Sequence, residues 1–527
     1  MRFSKHDLLQ IDENYLLSLP LSKLQTVSSN LLADLKEAVD RLNQNSTNSS
    51  TPPSKDAPWE KASPTVDDDN DDPQLNIEDE PVDYEESESV GETDHLEENN
   101  EKSDKKKDSS VDPQEKKPGK QPGTQGHGRS VELPVTGTKE HKPTECAVCG
   151  AKFNENSTFK CFTGLYVLDI ILSACSVLGI SLSHIKHLYY EAECECGHVT
   201  QCSPGRCEPE DGWTVELTEW HLCGPMLVAF IVCLSKRFRL SRRRIREFCN
   251  DWLGIKLSVG VINQCIHEAG RAVSPVEEEL VEQIQDSGLL HIDETGWLQH
   301  SSKLWLWIFT TATVCLFMVG PRTKAMVQRI LSIYTGWLMS DGYNAYRHYG
   351  KRLRCWAHLI RKLKGLEESV NKEAQAFGRR GLTLFDLLIK AIRAARDGPN
   401  KDISAEFSEI LDQFKQFCLD HCNSDHDKTQ KLAREFVNDW DAIWQILSNV
   451  DFPMTNNEAE RLLRHWVISR QISYGTRTDE GSKAFCLLAS VIETCRLRKV
   501  SPWQYIAQVI AERRKNNSIP PLPQPAI

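Results

Sequence analysis

No stretch of this 527-residue chain is both long and apolar enough to read as a membrane span. The most apolar runs, residues 165–182 and 222–234, are short, and the first carries Asp169. Both read as core segments. The N-terminal residues do not read as a secretory leader, so none is expected, and the 18 cysteines lack the even spacing of a secreted disulfide framework. A reducing cytosol is therefore expected. Bases are missing from one region. Residues 66–100 hold 16 aspartates and glutamates and no lysine or arginine, which accounts for a formal net charge of -12. The remainder carries 59 acids against 63 bases, so the overall charge does not exclude a nucleic-acid partner.

What is present divides into six stretches. Residues 1–45 carry Leu17, Leu21, Leu24, Leu31, Leu35 and Leu42 at a 4-3-4 spacing, with Ser28 and Ala38 in the gaps. This predicts one helix over 16–42, starting near Pro20. It serves either as a short coiled coil for self-association or as an amphipathic helix docked on the protein. Residues 46–135 are too polar to bury a core and read as a disordered linker, acidic in its middle. Its basic, Gly/Pro-rich end at 117–129 is either a plain spacer or a strand lying in a DNA groove.

Residues 136–210 hold Cys146-x-x-Cys149 before Gly150 and Cys194-x-Cys196 before Gly197. Tight thiol pairs on glycine turns suit a closed structural Zn²⁺ site. Cys202 and Cys207 follow and leave the ligand set open. Residues 211–286 predict helices, with a turn at Leu253-Gly254 and Ser258 as a helix cap. Arg242, Arg243 and Arg244, with Lys236, Arg237, Arg239 and Arg246, would neutralise phosphates in a DNA-binding helix-turn-helix.

In residues 287–512 the pattern becomes strand, strand, strand, helix, strand: 289–292, 304–311, 313–319, 324–334 and 336–339. Asp293 follows the first strand and Asp341 the fourth. That order predicts an α/β RNase H-like core, in which the first and fourth strands are neighbours and their acids converge. A third acid lies in Asn456-Asn-Glu-Ala-Glu-Arg461. Glu458 and Glu460 are two apart and point to different faces of a helix, and Glu460 is preferred. Thr455, Asn456 and Asn457 would cap that helix or bind phosphate. The long gap from Asp341 to Glu460 predicts a helical insertion at about 360–450. Glu294 lies on the opposite face from Asp293. Residues 513–527 read as an unstructured Pro-rich tail.

Carboxylates suit Mg²⁺, a hard cation that prefers oxygen ligands. Two Mg²⁺ ions held by Asp293, Asp341 and Glu460 would activate an attacking hydroxyl and stabilise a leaving oxygen. His358, in Cys355-Trp-Ala-His358, would orient water or touch phosphate. Arg361 and Lys362 follow it, and Arg461, Arg464 and Arg470 are further candidates for DNA phosphates.

These pieces, in this order, resemble the insertion sequence 66 family of bacterial DDE transposases. The likeness rests on Asp293-Glu-Thr, Asp341-Gly-Tyr-Asn-Ala-Tyr, Trp356-Ala-His358, Asn456-Asn-Glu-Ala-Glu-Arg-Leu-Leu-Arg464 and Ile492-Glu-Thr-Cys495. Upstream, the cysteine pairs, Gly119-Lys-Gln-Pro-Gly123 and Leu257-Ser-Val-Gly260 also fit. The resemblance implies a DDE core with Asp293, Asp341 and Glu460 as catalytic acids, a zinc region, a helix-turn-helix and a leucine-rich N-terminal helix. It also implies Mg²⁺-dependent cutting at element ends, joining to target DNA, assembly as a homo-oligomer on DNA, and accessory proteins from the same element. The expected location is cytoplasmic, at the nucleoid. Two features depart from the family: the long acidic run, and Gln471 where a lysine is expected. The alternatives are a catalytically silent DNA-binding regulator and an RNase H-like nuclease without strand transfer.

Overall fold

The computed structural model describes residues 3, 7, 10–44, 48, 133–172, 180–210 and 212–525. The acidic run and the basic 117–129 stretch lie outside the described residues.

The N-terminal stretch forms two helices, α1 (Glu13–Ser18) and α2 (Leu21–Leu42), where one was expected. Pro20 occupies the N-cap of α2 and, lacking an N–H, cannot continue α1. Leu21, Leu32, Leu35 and Leu42 are exposed, whereas Leu24 and Leu31 are half-buried. The helix docks through Asp40, which is buried and accepts from Ser369 Oγ at 2.6 Å and from the Val370 N–H at 3.1 Å.

The cysteine region is built on strands β1 (Gly137–His141), β2 (Phe159–Leu172), β3 (Ile180–Glu193) and β4 (Val199–Gln201). The order is β1-β3-β2, with β4 also on β3; β1 is parallel and the others antiparallel. The apolar run at 165–182 is thus not one core segment. Its described parts belong to two paired strands, with Leu168 and Ile170 buried and Tyr166 and Ile171 exposed. Asp169 has a local role: its Oδ1 accepts the Leu227 N–H at 2.8 Å, in the first turn of the next helix.

That helix is α3 (Pro225–Lys236), buried along most of its length. Then come α4 (Arg242–Leu253), α5 (Val259–Ala272) and α6 (Val276–Gln285). Ser241 and Ser258 accept backbone N–H groups at the starts of α4 and α5. Gly254, at φ 66°, ends α4 in the left-handed region that a side chain would disfavour. The helix, turn and helix form where the residues predict them. However, α5 is largely enclosed, and its one arginine, Arg271, is buried and donates to Val215 O at 2.8 Å. The exposed arginines belong to α4.

A five-stranded sheet follows: β5 (Leu289–Gln299), β6 (Ser302–Thr310), β7 (Cys315–Gly320), then α7 (Lys324–Leu331), β8 (Trp337–Ser340) and β9 (Arg352–Arg354). Its order is β7-β6-β5-β8-β9. The first three are antiparallel, and β8 and β9 run parallel to β5. Sequence reading misses β9, whose two arginines suggest exposed chain. Both are buried because Asp439 neutralises them, with Arg352 at 2.8 Å and Arg354 at 3.2 Å.

Helices α8 (Trp356–Glu367), α9 (Lys372–Arg396), α10 (Ser408–His421), α11 (Asp427–Asn438) and α12 (Trp440–Trp444) share their own aromatic core of Trp356, Phe377, Phe385, Phe414, Phe436 and Trp444. The chain then returns through α13 (Asn457–Ser473), α14 (Asp479–Leu497) and α15 (Pro502–Arg514). Helix α14 covers the β7 edge: Ser490 and Thr494 hydroxyls accept the Phe317 and Cys315 N–H groups at 2.8 and 3.0 Å. The tail is not loose. Leu522 is buried, and Arg498 and Tyr505 donate to the carbonyls of Pro523 and Pro520. Prolines keep their carbonyl acceptors, so side-chain donors can fasten a Pro-rich segment.

Candidate active site

Register places two acids together. β5 and β8 pair in parallel through His291 and Met339. Asp293 and Asp341 each lie two residues further on, so both carboxylates leave neighbouring strands at one level and on one face. The third acid comes from the first turn of α13, where negative charge suits the helix dipole.

Asn456 sets the position of α13. Its side chain makes no cap hydrogen bond, contrary to the capping role expected from sequence. Instead its Nδ2 donates to Ile292 O at 2.9 Å, and its Oδ1 accepts from His291 Nδ1 at 3.0 Å. Its N–H donates to Cys355 Sγ at 3.2 Å. A single buried asparagine thus pins the start of α13 to β5 beside Asp293 and to the entry of α8.

The two glutamates of α13 diverge. Glu458 is exposed and pairs with Arg461 at 2.9 Å. Glu460 turns toward the acids and lies 3.7 Å from His358 Nδ1 and 3.7 Å from Arg361. Its Oε1 is buried without a hydrogen-bond partner. Burial, then the charges of Asp341, Glu294 and Glu460, push the Asp293 carboxyl well above its usual range. The Glu294 N–H, at 2.9 Å from Asp293 Oδ1, opposes this without outweighing it. The site therefore gathers more negative charge than nearby cations cancel. Carboxylates around a buried, unpartnered oxygen suit a hard divalent cation, but among the described residues the potential ligand atoms within 4.8 Å of one another here are those of Cys355, His358 and Glu460, not those of all three acids.

Glu294 is committed elsewhere. It is enclosed, accepts from Arg322 at 2.7 Å and is bonded by the Tyr346 hydroxyl. Arg322 is itself stacked against Trp305 and Tyr343, 4.3 and 4.1 Å from their ring centres. The only hint of this brace in the chain's motifs is the pair of tyrosines after Asp341. His358 is held neutral chiefly by burial, which pulls its pKa down, and its Nδ1 lies 3.3 Å from Cys355 Sγ.

The expected DNA contacts scatter. Arg361 stands beside Glu460, whereas Lys362 is paired with Glu435 at 2.7 Å. Arg470 turns inward to Thr295 Oγ1 at 2.9 Å and to Gly296 O, tying α13 to β5. Arg242 donates to Asn263 and links α4 to α5. Arg243, Arg244 and Arg464 are exposed.

A second donor set lies in the β1–β4 region. The sulfurs of Cys146, Cys149, Cys194 and Cys196 all lie within 4.8 Å of one another. Cys146 is 3.7 Å from Cys196, and Cys149 is 3.5 Å from Cys194. A tetrahedron with Zn–S bonds of about 2.3 Å has edges of about 3.8 Å, so the cluster is compatible with zinc. Gly150 and Gly197, at φ 71° and 83°, close the two turns. Cys202 and Cys207 are not part of this group.

Residues 221–484 match the model of the family described as Transposase IS66 family. Curated relatives come from Sinorhizobium fredii (strain NBRC 101917 / NGR234). Uncharacterized protein y4qI is 21% identical over 288 residues, 49% of this chain and 53% of the relative. Uncharacterized protein y4hP is 22% identical over 334 residues, covering 55% and 59%. Uncharacterized protein y4jO is 24% identical over 172 residues, covering 32% and 50%. The chain spans about half the length of the curated relatives it matches.

Proposed function

Since the chain belongs to the Transposase IS66 family, we propose that it is a DNA transposase that cuts the ends of its own insertion sequence and joins them to target DNA. The observation that carries this reading is the convergence of Asp293 and Asp341 from neighbouring parallel strands on the Glu460 helix. The β7-β6-β5-β8-β9 order supports an RNase H-like core over residues 287–512. Helices α8 to α12, with their separate aromatic core, support a helical insertion at about 360–450.

In this reading Asp293, Asp341 and Glu460 hold Mg²⁺. The metal supplies charge neutralisation at the attacking and leaving oxygens. The remaining roles belong to the protein. Asn456 fixes the distance between Glu460 and Asp293. Arg361 and neutral His358 flank Glu460, where they orient a phosphate oxygen or a water. The Arg322–Tyr346 brace keeps Glu294 turned away from the reacting phosphate. Arg243 and Arg244 on α4 contact the DNA backbone. The four-cysteine cluster holds a structural zinc, and the exposed leucines of α2 support self-association.

The test is incubation with Mg²⁺ and a labelled duplex carrying the element's ends, with the element's accessory proteins added in parallel. Nicking and joined products are expected from the wild type and neither from Asp293→Asn, which should still bind ends. Binding without cleavage would identify a silent regulator. Cleavage without joining would identify a nuclease.

A further inference from the structure

The helix that carries Glu460 also lines a strongly cationic cavity of about 370 Å³. Three distant segments build it: the loop after α3, one stripe of α13, and the end of α14. They contribute Arg237 and Arg239, then Arg464 and His465, then Glu493 and Arg496. Arg464 is one helical turn from Glu460, about 6 Å along the α13 axis.

The arginines are oriented but not cancelled. His465 Nε2 lies 2.9 Å from Lys236 O, which can only accept, so this nitrogen carries the proton. Nδ1 is then a bare acceptor, and Arg239 and Arg237 donate to it at 2.8 and 3.4 Å. Burial and then the neighbouring arginines hold the His465 pKa down at about 4, so the ring stays neutral. A neutral acceptor positions two guanidinium groups without removing their charge. Arg239 also keeps a left-handed backbone, φ 57°, which is uncommon for a residue with a side chain.

Glu493 is the single carboxylate lining the cavity. It is buried, and lies 3.8 Å from Arg237 and 3.6 Å from Arg496. Its Oε1 has no hydrogen-bond partner. Among the described residues Arg464 makes no hydrogen bond or ion pair. Arg461, at the rim, pairs with Glu458. Of the four guanidinium groups of Arg237, Arg239, Arg464 and Arg496, only Arg237 and Arg496 lie near the recessed Glu493 carboxylate, and guanidinium forks match phosphate oxygens.

We propose that this arginine cavity binds a backbone phosphodiester of the DNA strand whose scissile phosphate lies at Asp293, Asp341 and Glu460. The proposal rests on the transposase reading for the identity of the anion, but not for the existence of the site. It clamps the strand between the helical region and the acid-bearing helix, so that DNA engagement holds the two together around the reacting phosphate.

The test uses the full chain in the Asp293→Asn background, which prevents cleavage. Affinity for a fluorescent end duplex is measured over a salt series for the parent, Arg464→Ala, Arg464→Lys and Arg496→Gln. Each neutral variant should weaken binding roughly tenfold, as expected when a charged hydrogen bond is removed. The slope of log K against log salt should fall by about 0.9 for each phosphate no longer neutralised. Arg464→Lys should recover the slope. Arg464→Ala guards against misfolding in Arg496→Gln, because its side chain is exposed. Inorganic phosphate is titrated separately, with the His465 ring resonances as the readout. Phosphate shifts that vanish in Arg464→Ala support the anion site even if no duplex binds, and in that case the transposase reading falls alone. Phosphate shifts with unchanged duplex affinity would overturn the DNA assignment and leave a site for a free anion. Unchanged duplex affinity and slope with no phosphate response would overturn the proposal altogether.

Discussion

The four-cysteine cluster and the three-acid cluster are two donor sets built by opposite means. Each cysteine pair sits on its own turn, closed by a local hydrogen bond: the Gly150 N–H to Cys146 O at 2.9 Å and the Gly197 N–H to Cys194 O at 2.8 Å. Only the meeting of two turns requires tertiary structure. Local backbone N–H groups orient the two aspartates, Glu294 N–H on Asp293 and Tyr343 N–H on Asp341, each at 2.9 Å, but no local turn brings the acids near one another. Asp293 and Asp341 depend on strand register, and Glu460 depends on a helix whose start is held by one buried asparagine. The cysteine set should therefore fail locally and the acid set globally, and the two should respond differently to the same perturbations.

The largest effect is expected from Asp293→Asn, which should cut strand cleavage about a thousandfold or more, the scale of losing a central electrostatic group. Thermal stability should not fall, because a neutral amide replaces a carboxylate that burial already disfavours. Loss of stability instead would mean that Asp293 is a structural residue.

If the cysteine cluster holds zinc as proposed, Cys196→Ser or a strong chelator should release it and expose the β1–β4 region to proteolysis, at a cost of several kcal/mol to that region. The acid sheet should keep its protection in hydrogen exchange. A whole-chain collapse would erase the contrast between the two sites.

Asn456→Ala removes the partner of Ile292 O and of His291 Nδ1, so it should cost about 1–3 kcal/mol. Activity should fall even at temperatures where the variant is fully folded, because Glu460 loses its register. Full activity in a folded variant would reduce Asn456 to a packing residue.

A smaller effect follows from protonation. Asp293 has a folded pKa raised above its unfolded one, so the folded state binds more protons between the two values. The stability of the metal-free protein should then decline as pH rises from the ordinary carboxylate range through the raised Asp293 value. Mg²⁺ should oppose the decline, and Asp293→Asn should make it shallower, leaving the share of Asp169, Glu294 and Glu493, whose carboxyls burial also raises. Melting curves over pH, with and without Mg²⁺, read this directly; a pH response identical in the variant would locate the titrating group elsewhere. The smallest effect belongs to Glu458→Gln. It breaks an exposed pair with Arg461 worth about 1 kcal/mol or less and should leave cleavage intact. A dead Glu458→Gln would exchange the roles of the two glutamates.

Much of this is legible without the fold. The strand order to Asp341 can be read because each strand is a short apolar run with its own turn. The caps Ser241 and Ser258 and the stop at Gly254 are also legible, since capping depends on neighbours in sequence. What escapes are elements defined by distant partners. Strand β9 is hidden because buried arginines look exposed until Asp439 is found beside them. The 165–182 run looks like one core segment because composition does not reveal a pairing of strands. The Pro-rich tail looks loose because its fasteners, Arg498 and Tyr505, lie upstream.

The sequence by itself determined most of the helices, the caps Ser241 and Ser258, the thiol pairs and the carboxylates on offer, because these follow from spacing and local hydrogen bonding. Tertiary structure alone decided which arginines are spent on the fold. Arg271, Arg354 and Arg470 have inward partners, whereas Arg237, Arg239, Arg464 and Arg496 share a cavity. A guanidinium's charge is fixed by its chemistry. Whether that charge is cancelled depends on what the folded chain brings within a few ångströms of it.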